Sequence, residues 1–326
     1  MKRLLIILGI VLISGNIVRS QQLPVYSQYL YNKFLINPAV AGSNGYTSVN
    51  FTARQQWSGY YGAPRTFSLS YQTRMLKAKF FLSNNLFNKT QYHSKTKGRV
   101  GFGLNAFNDL NGLIQKTGVL AAYSYNVWLD GETQLSLGLG VTAVYCKINE
   151  KAIQFEDPDE PILNSDFRKG TVIPDFNFGS YIIGRKFTVG FSALELMEGF
   201  GKIGSKAYND LRIQRTYYLF GNYDFIINHN SVIEPSVLFK TSELLMPQAD
   251  IGLTYIYNNR VWAGLTYRTQ TAIVVNIGVV KDKYFIGYSY DYTTQEIQRA
   301  TNGSHELVLA IRFGEGDRKY RWLDRY

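Results

Sequence analysis

Cysteine is nearly absent from this chain: Cys146 is the only one in 326 residues. No disulfide can close within the chain, and a cysteine so far from the amino terminus cannot be a lipid anchor beside a leader cleavage site. It stands on the polar phase of the run VTAVYCKIN, where a small side chain filling a wall accounts for it without redox chemistry. Histidine is scarce too: His93, His229 and His305 lie far apart, with no metal-ligand spacing between them. Neither Gly-x-Ser-x-Gly nor a phosphate-binding glycine loop occurs. Ser304, His305 and Glu306 are adjacent, but neighbours along a strand point to opposite faces and cannot converge as a triad. These gaps predict a protein that is not an enzyme and uses no cofactor or metal. Charged residues make up only 18%, against about 25% in ordinary soluble domains. Beyond the first twenty residues no stretch approaches the roughly 20 apolar residues of a membrane-spanning helix. Any insertion into a membrane has to be by strands.

What the chain does have is tyrosine (25), phenylalanine (20), glycine (29) and a strict two-residue alternation. In KYFIGYSYDY, Tyr284, Ile286, Tyr288 and Tyr290 share one face, while Phe285, Gly287, Ser289 and Asp291 share the other. In SHELVLAIRF, His305, Leu307, Leu309, Ile311 and Phe313 oppose Glu306, Val308, Ala310 and Arg312. Each run reads as a strand with one greasy and one polar side. Repeated over most of the chain, the pattern predicts an all-β fold: a transmembrane outer-membrane barrel whose strands alternate lipid-facing and lumen-facing residues. About fourteen antiparallel strands are expected, at 46–54, 66–74, 99–107, 118–128, 133–149, 170–183, 187–194, 215–225, 231–241, 249–257, 261–269, 272–280, 284–292 and 304–313. Gly101-Phe102-Gly103 and Gly138-Leu139-Gly140 fall inside such runs, where small residues line a wall.

The order along the chain fits this architecture. Residues 1–20 join a short basic start (Lys2, Arg3) to an apolar core and Val18-Arg19-Ser20, the pattern of a cleaved secretory signal peptide. Removing them lowers the formal charge from +11 to +8, since three of the cations lie there. Residues 21–45 follow, an aromatic and polar segment with turn signals at Asn37-Pro38 and Gly42-Ser43-Asn44-Gly45, expected to pack in or under the barrel. The barrel occupies 46–313 and a short basic tail 314–326. With both termini periplasmic, short connections at 129–132, 184–186, 258–260 and 281–283 fall on the periplasmic side. The long ones at 150–169, 195–214 and 293–303 fall on the surface side, the asymmetry of bacterial barrels. The Lys-rich connection 75–98 breaks the rule: it is either a basic periplasmic loop or hides a further pair of strands near Phe80-Phe81.

Charges inside the runs decide which face is which. Asp175, Glu234, Lys240, Arg268, Asp291, Glu306 and Arg312 all take the polar phase. On the lipid face a midplane Arg or Lys costs about 2–4 kcal/mol, so these groups belong in the lumen, cross-linked as ion pairs. Asn37–Ser43 is expected to pack on the inner wall near Asp291 and Glu306.

At this point several motifs converge on one family. Tyr26-Ser27-Gln28-Tyr29, Asn37-Pro38-Ala39-Val40-Ala41-Gly42-Ser43, Arg54-Gln55-Gln56-Trp57 and Gly62-Ala63-Pro64 come first. Pro174-Asp175-Phe176-Asn177-Phe178-Gly179, Tyr217-Tyr218, Gly221-Asn222-Tyr223 and Pro235 with Lys240 follow. Gly264-Leu265-Thr266-Tyr267-Arg268, Gly287-Tyr288-Ser289-Tyr290-Asp291 and Gly303-Ser304-His305-Glu306 complete the series. In this order the chain resembles the PorP/SprF-type outer-membrane proteins of type IX secretion and gliding systems, departing from them in 75–98 and in the tail. The resemblance implies a Gram-negative outer-membrane component that assists export or surface anchoring of a large adhesin-type cargo bearing a type IX sorting domain. It implies periplasmic machinery as a further partner; the barrel itself makes outer-membrane lipid another, and the export signal with no nucleic-acid motif sets nucleic acid aside. The signature and lumen residues are then Asn37, Pro38, Ala41, Gly42, Asp175, Asn177, Arg268, Asp291, Ser304, His305 and Glu306. A channel or transporter for small solutes is the alternative, and would need an open lumen. Trp57, Tyr60, Tyr61, Phe155, Phe167 and Phe200, in the surface-side connections, are the side chains expected to meet a partner. For the first three an interfacial aromatic girdle is a competing role.

Overall fold

The computed structural model describes residues 26–75, 100–112, 114–129, 133–148, 170–197, 214–242 and 247–313. Fifteen strand segments make a single antiparallel sheet that closes on itself. They are β1 (Thr47–Gln55), β2 (Arg65–Met75), β3 (Val100–Asn111), β4 (Ile114–Trp128), β5 (Gln134–Ile148), β6 (Thr171–Ile183), β7 (Phe187–Leu194) and β8 (Thr216–Tyr223). After these come β9 (Phe225–Asn228), β10 (Ser231–Ser242), β11 (Gln248–Tyr257), β12 (Val261–Arg268), β13 (Ala272–Lys281), β14 (Tyr284–Thr293) and β15 (Ser304–Phe313). β8 and β9 both pair with β10 and form one stave, so the barrel has fourteen. The ring is sealed by β1 against β15, from Thr47 opposite Phe313 to Gln55 opposite His305. Closure leaves no open edge, as a lipid environment requires of a spanning sheet.

Proline explains the one broken stave. The ladder of β10 with β8 starts at Ser236 and its ladder with β9 ends at Ile233. Pro235 lies in the gap, and having no N–H it cannot donate there. Pro174 sits in the part of β6 that pairs with β5 alone, because β7 joins β6 only from Phe178 onward. Its missing donor therefore costs no bond to β7.

Alternation sorts the side chains as the polar and apolar phases demand. Along β14 the pattern places Tyr284, Ile286 and Tyr288 outward and Phe285, Gly287, Ser289 and Asp291 inward and buried. Outward positions across the barrel are Leu, Val, Ile, Phe and Tyr, among them Leu139, Val172, Leu253 and Leu265. Inward positions carry Ser, Thr, Asn, Gln and the buried charges, together with apolar side chains such as Leu120, Phe220, Leu238, Trp262 and Phe285. β2 pairs directly with β3 up to Met75 opposite Val100, so no further wall strand stands between them. Residues 76–99 themselves lie outside the described residues, as do 1–25, 150–169, 198–213 and 314–326.

A second layer lies inside the ring. Residues 26–45 fold as turns and two short 3-10 helices, Lys33–Leu35 and Pro38–Val40, and Tyr29, Phe34, Asn37, Ala39, Ala41 and Ser43 are buried. Thr47 and Phe313 face each other at the short-turn end, as expected for a barrel whose strands begin and end there, whereas Tyr26 sits in the opposite half, beside Asp109 near the end of β3. The segment thus runs the length of the lumen before β1 begins.

Leu265 points outward from the middle of β12. Leu265→Arg should lower folding free energy in phospholipid vesicles by about 2–4 kcal/mol, and Tyr257→Arg, at a strand end, by only about 0–1 kcal/mol. Equilibrium chemical unfolding of the inserted barrel measures both.

Candidate functional site

The lumen is filled by the 26–45 segment, whose Leu30, Phe34, Ile36 and Val40 share an apolar cluster with Leu120, Tyr181, Phe220 and Leu238 of the wall, and two further kinds of contact hold it. The first is an ion cluster in the half of the barrel that carries the long connections. Arg54 near the end of β1 reaches Asp291 of β14 (Nη2–Oδ2 2.7 Å) and Glu306 of β15 (Nη1–Oε2 3.2 Å). Arg268 at the end of β12 binds Asp250 (Nε–Oδ2 3.0 Å) and Asp291 (Nη1–Oδ2 3.1 Å). These five wall side chains, all at most 5% exposed, carry two positive and three negative charges. The excess carboxylate is met by the plug. Ser27 and Gln28 donate their backbone N–H groups to Glu306 Oε2 (2.8 Å) and Oε1 (2.9 Å), and Gln28 Nε2 donates to the Glu306 carbonyl (3.1 Å). Ser27 Oγ donates to Asp291 (2.7 Å) while accepting from Arg54 (2.8 Å) and Arg268 (3.2 Å). A hydroxyl that donates once and accepts twice fits this centre, and no apolar side chain could replace it.

The second contact is a platform of glycines. A Cβ on Gly138 of β5 would stand 2.3 Å from Ala39 N, and one on Gly179 of β6 2.0 Å from Asn37 Oδ1. On β3, Gly101 and Gly103 would strike Ala41 O and the Phe34 ring in the same way. The wall is bare where the Pro38–Val40 turn presses on it. Asn37 caps that turn, its Oδ1 accepting from Ala39 N (2.9 Å), and its Nδ2 donates to the carbonyls of Ser180 (2.9 Å) and Phe191 (3.1 Å). Ser124 Oγ donates to Ala41 O (2.6 Å). Arg74 and Gln134 donate to Ser43 O at 3.0 and 3.1 Å. Gly42 holds φ +62° with Thr73 O only 2.4 Å from where a Cβ would be, so no other residue fits. On the far wall Tyr31 stacks on Trp262 (ring centroids 3.9 Å apart), with Phe285 beside both.

The residues singled out from sequence fall into separate places. Asn37, Pro38, Ala41 and Gly42 are in the plug against β3–β6. Arg268, Asp291 and Glu306 are in the ion cluster, but the segment that meets them is Ser27–Gln28, not Asn37–Ser43. Asp175 and Asn177 lie by the end of β7, accepting from Met197 N and Glu195 N (2.9 Å each). Ser304 accepts from Trp57 N (3.1 Å) at the rim. His305 does not face the lumen: it takes the outward phase, its Nδ1 2.6 Å from Tyr288 Oη and its ring against Tyr290. Odd–even spacing dictates this, since Glu306 next to it points inward. Trp57, Tyr60 and Tyr61 lie in the β1–β2 connection, with Tyr61 85% exposed. Phe155, Phe167 and Phe200 lie outside the described residues. The reading from sequence quotes Ser27 and Arg54 within family motifs but gives them no lumen role, and passes over Asp250, although Arg54 shares the polar phase of β1 with Asn50 and Thr52.

A comparison with known families matches residues 18–311 to the family described as type IX secretion system membrane protein PorP/SprF. The chain belongs to this family. No curated protein matches it. Among solved structures, the toluene transporter TbuX of Ralstonia pickettii is similar at 7% identity, over 86% of this chain and 92% of that one, with a TM-score of 0.44. A FadL homologue of Pseudomonas aeruginosa shares 11% identity over 82% and 88% of the two chains, with a TM-score of 0.39. A deletion mutant of TodX, a monoaromatic hydrocarbon channel, shares 8% over 86% and 93%, with a TM-score of 0.45. With its sheet closed on itself, this PorP/SprF protein is a β-barrel membrane protein of the type IX secretion system. Among its described residues no group of three or more His, Cys, Asp or Glu is placed to hold a metal ion.

Arg54→Met should destabilise the barrel by about 3–5 kcal/mol, because Glu306 and Asp291 stay buried while losing a cation. Adding Glu306→Gln should cost less than the sum of the two single changes, read by a double-mutant cycle of chemical unfolding. Gly138→Val should lift the Pro38–Val40 turn off the wall. In a Cys146→Ser chain, Ser43→Cys should resist a water-soluble maleimide in the folded barrel and react once Gly138→Val is added.

Proposed function

We propose that this chain is a plugged scaffold of the type IX secretion or gliding machinery, one that assists export or surface anchoring of a large adhesin-type cargo bearing a type IX sorting domain. The cargo meets the end of the barrel with the long connections, and periplasmic components of the machinery meet the short-turn end. Residues 1–20 are a signal peptide removed on export, residues 21–45 are the plug unit and 314–326 a tail. No catalytic step belongs to the protein.

The observation that supports this reading best is the filled lumen. A conduit for small solutes needs a hydrated path, whereas here Ser27 to Ser43 are bonded to β1, β2, β4–β7, β14 and β15. A rigid barrel closed in this way offers its rims rather than its bore. At the long-connection rim, the β1–β2 and β14–β15 connections are zipped together by Ser58 N to Gly303 O (2.7 Å) and Asn302 N to Ser58 O (2.8 Å). Tyr60 and Tyr61 project from that paired rim, large rigid side chains of the kind that anchor protein interfaces.

The full chain should give no steady conductance in planar bilayers, and a large surface protein should co-purify with it from membranes. Replacing 150–169 or 195–214 by a short Gly/Ser linker should leave insertion intact and release the cargo from the cell surface. Steady pores from the intact chain, or cargo retained in both loop variants, would overturn the reading.

A further inference from the structure

The wall beside the plug contains a second built site, distinct from the ion cluster. β7 stops at Leu194, while β6 starts several residues beyond its reach, so the chain after β7 turns in over the uncovered part of β6. Glu195 makes that turn at φ +60°, a left-handed conformation that a non-glycine residue adopts only when its surroundings enforce it. The enforcing bonds are visible. Asn177 Oδ1 accepts from Glu195 N (2.9 Å), Phe176 O from Leu196 N (3.0 Å), and Asp175 Oδ1 from Met197 N (2.9 Å).

The turn aims the Glu195 carboxylate into a cavity of about 110 Å³ in the long-connection half of the lumen. That is several times the roughly 30 Å³ share of one liquid water. Tyr26 and Phe34 of the plug and Tyr218 of β8 line it, as do Asp109 of β3 and Lys116 of β4, the latter acting on Glu195. Lys240 of β10 lies over the Tyr218 ring, 5.7 Å from its centroid, and Asp175 of β6 is near enough to repel the Glu195 carboxylate. Asp109, Glu195 and Asp175 thus outnumber the two lysines, one of which, Lys240, also serves Asp250 of the ion cluster. Among the described residues, Glu195 Oε2 and Asp175 Oδ2 are shielded from solvent and have no hydrogen-bond partner. A buried acceptor left without a donor is costly, so a site of this kind calls for one.

We propose that this cavity binds an organic ammonium group carried on an apolar stem. The ammonium donates to Glu195 Oε2 and supplies the third cation, and the stem lies on Tyr26, Phe34 and Tyr218. Two sources share that chemistry: a free aliphatic amine, and a lysine side chain of a polypeptide. Burial pushes the Glu195 carboxyl up to about 7, with Lys116 and Lys240 opposing the shift and Asp175 adding to it. Binding of the cation favours the ionised carboxylate, so affinity rises with pH through that range. The site does not rest on the cargo reading, and neither outcome below decides that reading.

Isothermal titration of the full-length barrel in detergent tests the site, with butylammonium as probe and butanol as its neutral counterpart. Butylammonium should bind saturably and more tightly at about pH 8 than at about pH 6. Glu195→Gln should weaken binding by about tenfold or more, through the lost charge-assisted bond. Leu120→Trp, filling the cavity from β4, should abolish it, and Glu296→Gln on the distant β14–β15 connection should leave it unchanged. Each variant is first shown to be folded by its heat-dependent gel shift. A Gly-Lys-Gly peptide with blocked ends that binds more tightly than butylammonium identifies a polypeptide side chain, and one that is excluded identifies a free amine. Equal, non-saturating heats for butylammonium and butanol, or a Glu195→Gln affinity equal to that of the unaltered chain, would show a water-filled pocket only and overturn the proposal.

Discussion

A carboxylate sealed inside a membrane-spanning wall must find donors that do not come from water, and this structure is arranged around that requirement. Glu306 and Asp291 face inward because the two-residue period of β14 and β15 leaves them no other direction. The wall supplies Arg54 and Arg268, one charge too few for the three acids they serve. The balance comes from backbone N–H groups of Ser27 and Gln28, which carry no side-chain entropy cost and point where the chain fixes them. The plug is therefore part of the wall's electrostatics. Without it the cluster would need water, and the lumen would be a wet channel in place of a packed core.

The glycine platform solves a different problem with the same economy. The plug's Leu30, Phe34, Ile36 and Val40 share one apolar cluster with Leu120, Tyr181, Phe220 and Leu238 of the wall, and close approach adds to that burial. Bare backbone at Gly101, Gly138 and Gly179 lets the Asn37–Ala41 turn sit within direct reach of the sheet, where Asn37 and Ser124 make bonds that longer side chains would block. Phe34 buries its ring over Gly103 for the same reason. The contacts are numerous, short and spread over β3–β7, which fixes the segment along its length and not only at the cluster.

The wall was legible in the sequence because its signal is local. Each strand carries its own alternation, and the boundaries read from it differ from those found by only a few residues, as at 284–292 against Tyr284–Thr293. Inward placement of Arg268, Asp291 and Glu306 followed from phase alone. What stayed hidden depends on contacts between distant segments. Ser27 meets Glu306 across 279 positions, and no period encodes that pairing. The Asn37–Ser43 turn was assigned to the charged cluster when it belongs on the glycine platform, because both partners are small and polar and neither fixes a register. His305 was grouped with lumen residues by motif, though its own odd position argued for the outer face. Glu195 escaped notice because its burial arises from unequal lengths of β6 and β7, a property of two strands compared and of neither alone.

The seal between β1 and β15 is where the cluster has its further consequence. Arg54 belongs to the first strand, Glu306 to the last, and Asp291 to the one before it, so the bridge crosses the seam of the ring. A slip of one residue in that seam would turn Arg54 or Glu306 toward lipid and leave Ser27 without its partners. The plug can engage fully only in a barrel sealed in the correct register. Its docking is thus coupled to the register of the seam, because the interior peptide and the joined strands share one set of ion pairs.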